Sequence, residues 1–479
     1  MKSFNAQKFL ALLLAAIIPA IALLSVGLIA PAQYGLTFLG ALAPKYERLT
    51  TIEEPKIILV GGSSTAFGLD SALLEETVGM PVVNFGLYAT LGTKLMLDLS
   101  RAGINEGDII VLAPEVEAQT LSLYFNPEST WQAVEAKPSM LMRIGFDNWG
   151  AMLGAYFGYV GDKISFWQNG TPDPAGVYNS RNFNEYGDIS YDRPYNTMLL
   201  GYDPNMTIDL SADIVDAAFI DYVNDYVADA EKKGATVYYS FPPMNADALA
   251  EDTDDESIYA FYDYLARNLD CPVISNPHDY IYEADYFYDT NFHLNDSGII
   301  LRTAALAADL RRMMGNAAPV EIEIPAAPER PAIETPAVTP GTVADTSAYF
   351  TYEDMAGGLM ITGVTDAGKA LTELTVPATA NGKAVVAIGA NAFSGCTAVK
   401  DIIVYPNIIQ FFDGCFSGAS SLQRVIMHYT VAEGVAVGEG LFNGAPDGAK
   451  LYYPTQDAFS NYVADYYWSL YAPRMDILG

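Results

Sequence analysis

Four short apolar runs, each closed by glycine or proline, constrain most of this chain more tightly than any other feature. Lys56-Ile57-Ile58-Leu59-Val60 enters Gly61-Gly62-Ser63-Ser64, and Pro81-Val82-Val83-Asn84-Phe85 ends on Gly86. Residues 109–113 end on Pro114-Glu115, and residues 236–240 end on Phe241-Pro242-Pro243. Runs this short and this continuously apolar read as strands buried on both faces. Residues 212–233 have helical periodicity, with Ile214, Ala217, Ala218, Tyr222 and Tyr226 on one side and Gly234 as the stop. A last helix is expected over 295–314, with Asn295, Asp296 and Ser297 as capping candidates and Gly315 at its end. Strands alternating with helices predict an α/β domain around a largely parallel sheet covered on both faces. Ligands of such sheets bind beyond the carboxyl ends of the strands, where Ser63, Gly86, Glu115 and Pro242 all fall. The stretch 120–210, rich in Tyr, Asn, Gly and Asp without clear period, is expected as a lid or loop insertion.

Residues 9–44 carry no charge, and 9–30 as a helix would reach about 33 Å, enough to span a bilayer. Lys2 and Lys8 precede the run, which keeps the N-terminus cytoplasmic and exports the rest. The expectation is a cell-membrane protein with a single-pass anchor within 1–45 and its remaining domains extracellular. The competing reading is a cleaved signal peptide, because Ala30-Pro31-Ala32 resembles a small-residue cleavage site. Residues 45–54 read as a short polar stalk. The net charge of −33 repels phosphate backbones and excludes nucleic acid as a partner. Cys271, Cys396 and Cys415 form no CxxC pair and no zinc spacing, so they read as small core residues, with a Cys396–Cys415 disulfide as the alternative. The acidic run 251–256 lacks the pattern of a calcium loop and reads as solvated. Neither a metal nor a cofactor is expected.

Residues 316–345 hold six prolines, at 319, 325, 328, 331, 336 and 340, and read as an extended spacer. Beyond it, Ala392-Phe393-Ser394-Gly395-Cys396 matches Cys415-Phe416-Ser417-Gly418-Ala419 at a spacing of 23, and Leu441-Phe442-Asn443-Gly444-Ala445 is a looser third copy. A period in the twenties belongs to leucine-rich-repeat solenoids. The pattern resembles the BspA-type leucine-rich repeat of bacterial surface proteins. That resemblance implies a small solenoid over 346–479 that binds a surface protein or glycan.

Three histidines make the search for chemistry short. His428 lies inside the repeats, and His278 precedes Asp279 in an apparent loop. His293 sits in Asp289-Thr290-Asn291-Phe292-His293, just before the last helix. A serine hydroxyl needs a base to take its proton and backbone donors to hold the oxyanion. Ser63, on a glycine-flanked strand-to-helix turn, suits the nucleophile, and Gly86 offers a backbone donor at the next strand end.

Gly61-Gly62-Ser63 followed by Gly68 resembles the first block of the SGNH/GDSL hydrolases, and Asn84-Phe85-Gly86 resembles the second. Asp289 with His293 resembles the last. Over 46–315 the resemblance implies a doubly wound SGNH-like domain with Ser63 as nucleophile, His293 as base, Asp289 orienting it, and Gly86 in the oxyanion hole. It further implies an esterase or O-acyltransferase acting on acyl, often acetyl, esters of cell-envelope glycans, with a multi-pass membrane protein as acyl donor in the transferase case. The chain departs from the family where Gly62 replaces the acid of the first block. Asp289 also stands four rather than three residues before the histidine, so Asn291 or a backbone carbonyl is an alternative orienting group. Pro114-Glu115 stands where a third block would supply an asparagine, which leaves Asn245 as a substitute donor. A binding protein on a non-catalytic scaffold is the competing reading.

Overall fold

The computed structural model describes residues 25, 27–174, 176–198, 200–316, 318–330, 345–430, 432, 434–438, 440–465 and 467–478. The chain is mixed α/β with parallel sheets. Most of the run expected as an anchor lies outside the described residues. Among those described, no helix is long and apolar enough to cross a membrane.

The four apolar runs form one parallel sheet: β1 (Ile57–Val60), β2 (Val82–Asn84), β3 (Ile109–Leu112) and β4 (Thr236–Tyr239), in the order β2-β1-β3-β4. All of β1, β2 and β3 is buried, as the unbroken apolar runs require. The buried Lys56–Asp108 pair, at 2.9 Å, ties the amino ends of β1 and β3 together. At the opposite edge the chain order reverses between β2 and β3 about β1, the position at which ligands of such sheets bind.

The helix after the insertion runs Ala217–Lys232 and is capped by Asp216, which accepts from the Ala218 amide. Its buried face is Phe219, Ile220, Val223, Tyr226, Val227 and Ala230, whereas Ala217 and Ala218 face solvent. The buried face is rotated from the expected one and shares Tyr226 with it, while Ile214 and Tyr222 are partly buried at its edge. The last helix, Asp296–Met313, is capped by Asn295, whose side chain accepts from the Ser297 and Gly298 amides.

Residues 45–54 are no stalk. Leu42–Thr51 is a helix with Leu42, Lys45, Tyr46 and Leu49 buried in the α/β core. The Lys45 ammonium is satisfied there by the carbonyls of Asn84, at 3.1 Å, and Gly187. At the other end, the first part of the proline-rich spacer lies on the α/β domain: Tyr286 Oη donates to the Pro325 carbonyl at 3.1 Å and Arg330 pairs with Asp285 at 3.0 Å. Residues 331–344 lie outside the described residues.

Beyond the spacer, Glu373–Thr375, Asp401–Val404, Arg424–Met427, Lys450–Tyr453 and Met475–Ile477 form a parallel sheet in which neighbours in sequence are neighbours in space. A second sheet pairs Gly358–Val364, Lys383–Ile388, Gln410–Phe411 and Ala436–Val437 in parallel. The repeated motif supplies the core: Phe393, Cys396, Cys415 and Phe416 are fully buried. The Phe393 amide donates to the Cys415 carbonyl at 3.0 Å, and the Phe416 amide to the Leu441 carbonyl at 3.1 Å. Each copy thus bonds to the next, and the spacing recurs because the copies stack. All three cysteines are free and buried, so Cys396 and Cys415 are not bridged.

Candidate active site

Ser63 opens a short helix, Ser63–Phe67, directly beyond β1. The first amide of a helix has no intrahelical acceptor, so the Ser63 N–H is available to a ligand oxygen. The turn is held from three sides. The Ser64 carbonyl accepts from Arg302 of the last helix at 2.6 Å, and the Ser64 amide donates to Glu115 Oε1, beyond β3, at 2.7 Å. The Thr65 carbonyl accepts from Asn84 Nδ2 at 2.8 Å.

The glycine at 62 leaves room for the Glu115 side chain. A Cβ there would collide with the Glu115 carboxylate, which fills the space that a side chain at 62 would take. The Glu115 carboxylate, from just beyond β3, thus lies against the turn at Gly62 and Ser64. Gly86 likewise approaches Thr65 and the Gly62 carbonyl too closely to carry a side chain.

His293 reaches Ser63 from the far end of the domain. The loop before the last helix is closed on itself: Thr290 Oγ1 accepts from the Phe292 and His293 amides, at 3.2 and 3.0 Å, and the Tyr288 amide donates to the His293 carbonyl at 2.8 Å. His293 Nε2 stands 2.8 Å from Ser63 Oγ, and His293 Nδ1 stands 2.8 Å from Asp289 Oδ1. A carboxylate accepts, so the proton sits on Nδ1 and Nε2 is left to accept from the Ser63 hydroxyl. Three residues chosen from the sequence therefore form one continuous hydrogen-bonded chain.

The proposed alternatives are engaged elsewhere. Asn291 binds Asp203 and Met206, donating to their carbonyls at 2.8 and 2.6 Å and accepting from the Asp203 amide at 2.8 Å. Asn245 donates to the Gly201 carbonyl at 2.8 Å and accepts from the Asp247 amide at 3.1 Å. It is Asp289, and not Asn291, that meets the imidazole. The Gly86 amide is met by Asn84 Oδ1 at 3.1 Å. His278 and His428 lie apart from this chain, beside Asp255 and stacked on Tyr405 respectively.

Four further residues belong to the site without a sequence signal. Tyr178, from the aperiodic insertion, donates its hydroxyl to Asp289 Oδ2 at 2.5 Å; burial and that carboxylate raise the phenol well above its usual range. Tyr467, from the C-terminal region, brings its hydroxyl to 3.4 Å from that of Tyr178. Phe67 stacks on the His293 ring. Behind the turn, Asp188 binds Asn84 at 2.7 Å and Ser71 at 2.6 Å, and burial raises its carboxyl above the usual range. Burial also lowers the Lys45 ammonium to about 7, against the pull of Asp188.

No family model matches the chain, and no curated protein matches it.

Proposed function

We propose that the chain is a cell-surface esterase or O-acyltransferase that cleaves acyl esters of cell-envelope glycans through Ser63, His293 and Asp289. The observation that carries the reading is the unbroken chain from Ser63 Oγ through both nitrogens of His293 to Asp289, with 2.8 Å at each link. Ser63 Oγ attacks the acyl carbonyl as its proton passes to His293 Nε2. The oxyanion is held by the Ser63 N–H, and by the Gly86 N–H as it exchanges Asn84 Oδ1 for the new charge. Collapse breaks the bond to the glycan oxygen, which takes the proton from His293 and departs as the hydroxyl, leaving an acyl-serine. Water then attacks in a hydrolase, or an acceptor hydroxyl in a transferase, with His293 again the base.

In this reading residues 46–315 form an SGNH-like domain, the stacked C-terminal sheets are a leucine-rich-repeat solenoid that contacts a surface protein or glycan, and residues 9–30 anchor the chain. A transferase would draw its acyl group from a multi-pass membrane protein. A binding protein is the second reading, and one observation favours it: the Ser64 and Gly86 amides are already taken by Glu115 and Asn84.

Turnover of p-nitrophenyl acetate by the full chain, beside Ser63→Ala and His293→Ala, tests the catalytic reading. Loss in both variants is the expected result. Turnover that survives in either variant contradicts it. Release of acetate from an O-acetylated glycan then tests the substrate class.

A further inference from the structure

The helix Trp149–Asn169 carries only two charges, Asp162 and Lys163, and Lys163 turns inward onto Glu135 at 2.8 Å. One side of it packs down, with Met152, Tyr156, Tyr159 and Val160 buried. The other side does not. Leu153 is 54 % exposed, Phe157 61 %, Ile164 40 % and Trp167 58 %. In the turns just ahead of the helix, Met142 is 80 % and Phe146 91 % exposed. At 3.6 residues per turn, Leu153, Phe157 and Ile164 share one stripe. Gly150, Gly154, Gly158 and Gly161 lie beside that stripe, and an added methyl at any of them meets nothing. The result is a flat apolar face on the outside of a chain with a net charge of −33, and such a face marks an interaction site.

What covers it follows from where the N-terminal apolar run leaves the domain. The Gly27 carbonyl accepts from Tyr159 Oη at 3.3 Å, and Gly27 has no room for a side chain against Tyr156. The amides of Gln33 and Tyr34 both donate to Glu135, the carboxylate that Lys163 neutralises. The Tyr34 ring meets Phe166 edge-on at 5.3 Å between centroids. The end of the run is therefore clamped to this same helix, and its own Leu28 and Ile29 are 47 % and 79 % exposed. Wherever the preceding residues enter a bilayer, the helix that holds their end stands at its surface.

We infer that the exposed face of Trp149–Asn169 docks on the outer leaflet of that bilayer, with the helix axis along the membrane plane. The docking rests on the anchor reading and not on the catalytic one. Its chemistry is apolar insertion, with Trp167 suited to the interface, because the acidic chain gains nothing from anionic lipid headgroups. The segment beyond the helix carries Tyr178 to Asp289, so the same contact holds the catalytic site close to the membrane.

The test is spin labelling of the full chain in phospholipid nanodiscs. The native cysteines are all buried, so a nitroxide reports on Phe157→Cys or Leu153→Cys, with the exposed Asp263→Cys as the aqueous control. Collisions with oxygen should exceed those with a water-soluble nickel chelate at 153 and 157, reversing the order at 263. A chain that enters the nanodisc with water-accessible labels at 153 and 157 overturns the docking alone. Labels shielded from both reagents mean that protein covers the face, which also overturns it. A chain that does not enter the nanodisc contradicts the anchor reading and the docking with it.

Discussion

The ring of Phe67 lies face to face with the imidazole of His293, 3.9 Å between centroids and 3° from parallel. The Arg193 guanidinium stands 5.1 Å from the same Phe67 ring and donates to the Phe67 carbonyl at 3.0 Å. The imidazole is thus fixed in the plane that points one nitrogen at Ser63 and the other at Asp289. Phe67→Ala should remove this stop, lowering kcat with little change in KM and costing roughly 3–5 kcal/mol of stability. Phe67→Leu should recover much of the stability and less of kcat, because it restores volume without a flat face. Denaturant unfolding and steady-state kinetics on the two variants separate packing from orientation.

Tyr178 occupies the second oxygen of Asp289, while His293 takes the first. Loss of a hydrogen bond to a charged group costs about 1.5–3 kcal/mol, and a part of that reaches the transition state. Tyr178→Phe should therefore reduce kcat by about tenfold while the fold is kept, measured with the ester used for the wild type. An unchanged kcat would mean that Asp289 is held without the phenol.

The outcome differs in kind for Tyr467, whose ring meets Tyr178 edge-on at 6.2 Å between centroids. Ser63 is only 6 % exposed. Tyr467→Ala should uncover the serine and speed its labelling by a small fluorophosphonate, measured as a second-order rate beside the wild type. An equal rate would place the ring off the path to Ser63.

Stability should depend on pH through Lys45. Its folded value of about 7 lies below the unfolded 10.5. Between those limits the unfolded chain holds a proton that the folded chain has released, so stability rises with pH, at most by about 1.4 kcal/mol per unit. Below pH 7 both states are protonated and the full penalty is present. Urea unfolding at pH 7 and 9 should show this rise in the wild type and lose it in Lys45→Met.

The strands of the α/β domain and the members of its Ser–His–Asp chain were legible because their signals are local. An apolar run closed by glycine states its burial without reference to the rest of the chain, and Asp289 and His293 lie within one turn of each other. What escaped is non-local. Lys45 looked like part of a stalk because a lysine's burial depends on its acceptors, and those are the carbonyls of Asn84 and Gly187, 39 and 142 positions away. Glu115 looked like a missing donor, whereas its place is set by the empty space at Gly62. Tyr178 and Tyr467 come from stretches rich in tyrosine, where nothing in the pattern distinguishes the ring that meets Asp289 from its neighbours. The repeats were legible through their spacing, since the residues that match in sequence are those that stack.

The most direct test of the catalytic chain is mass mapping of the covalent adduct formed by a fluorophosphonate on the full-length protein. The geometry predicts a single adduct on Ser63, absent in Ser63→Ala and lost in His293→Ala, where no base remains 2.8 Å from the hydroxyl. An unmodified Ser63 in the wild type, or an adduct that forms equally well in His293→Ala, would contradict it.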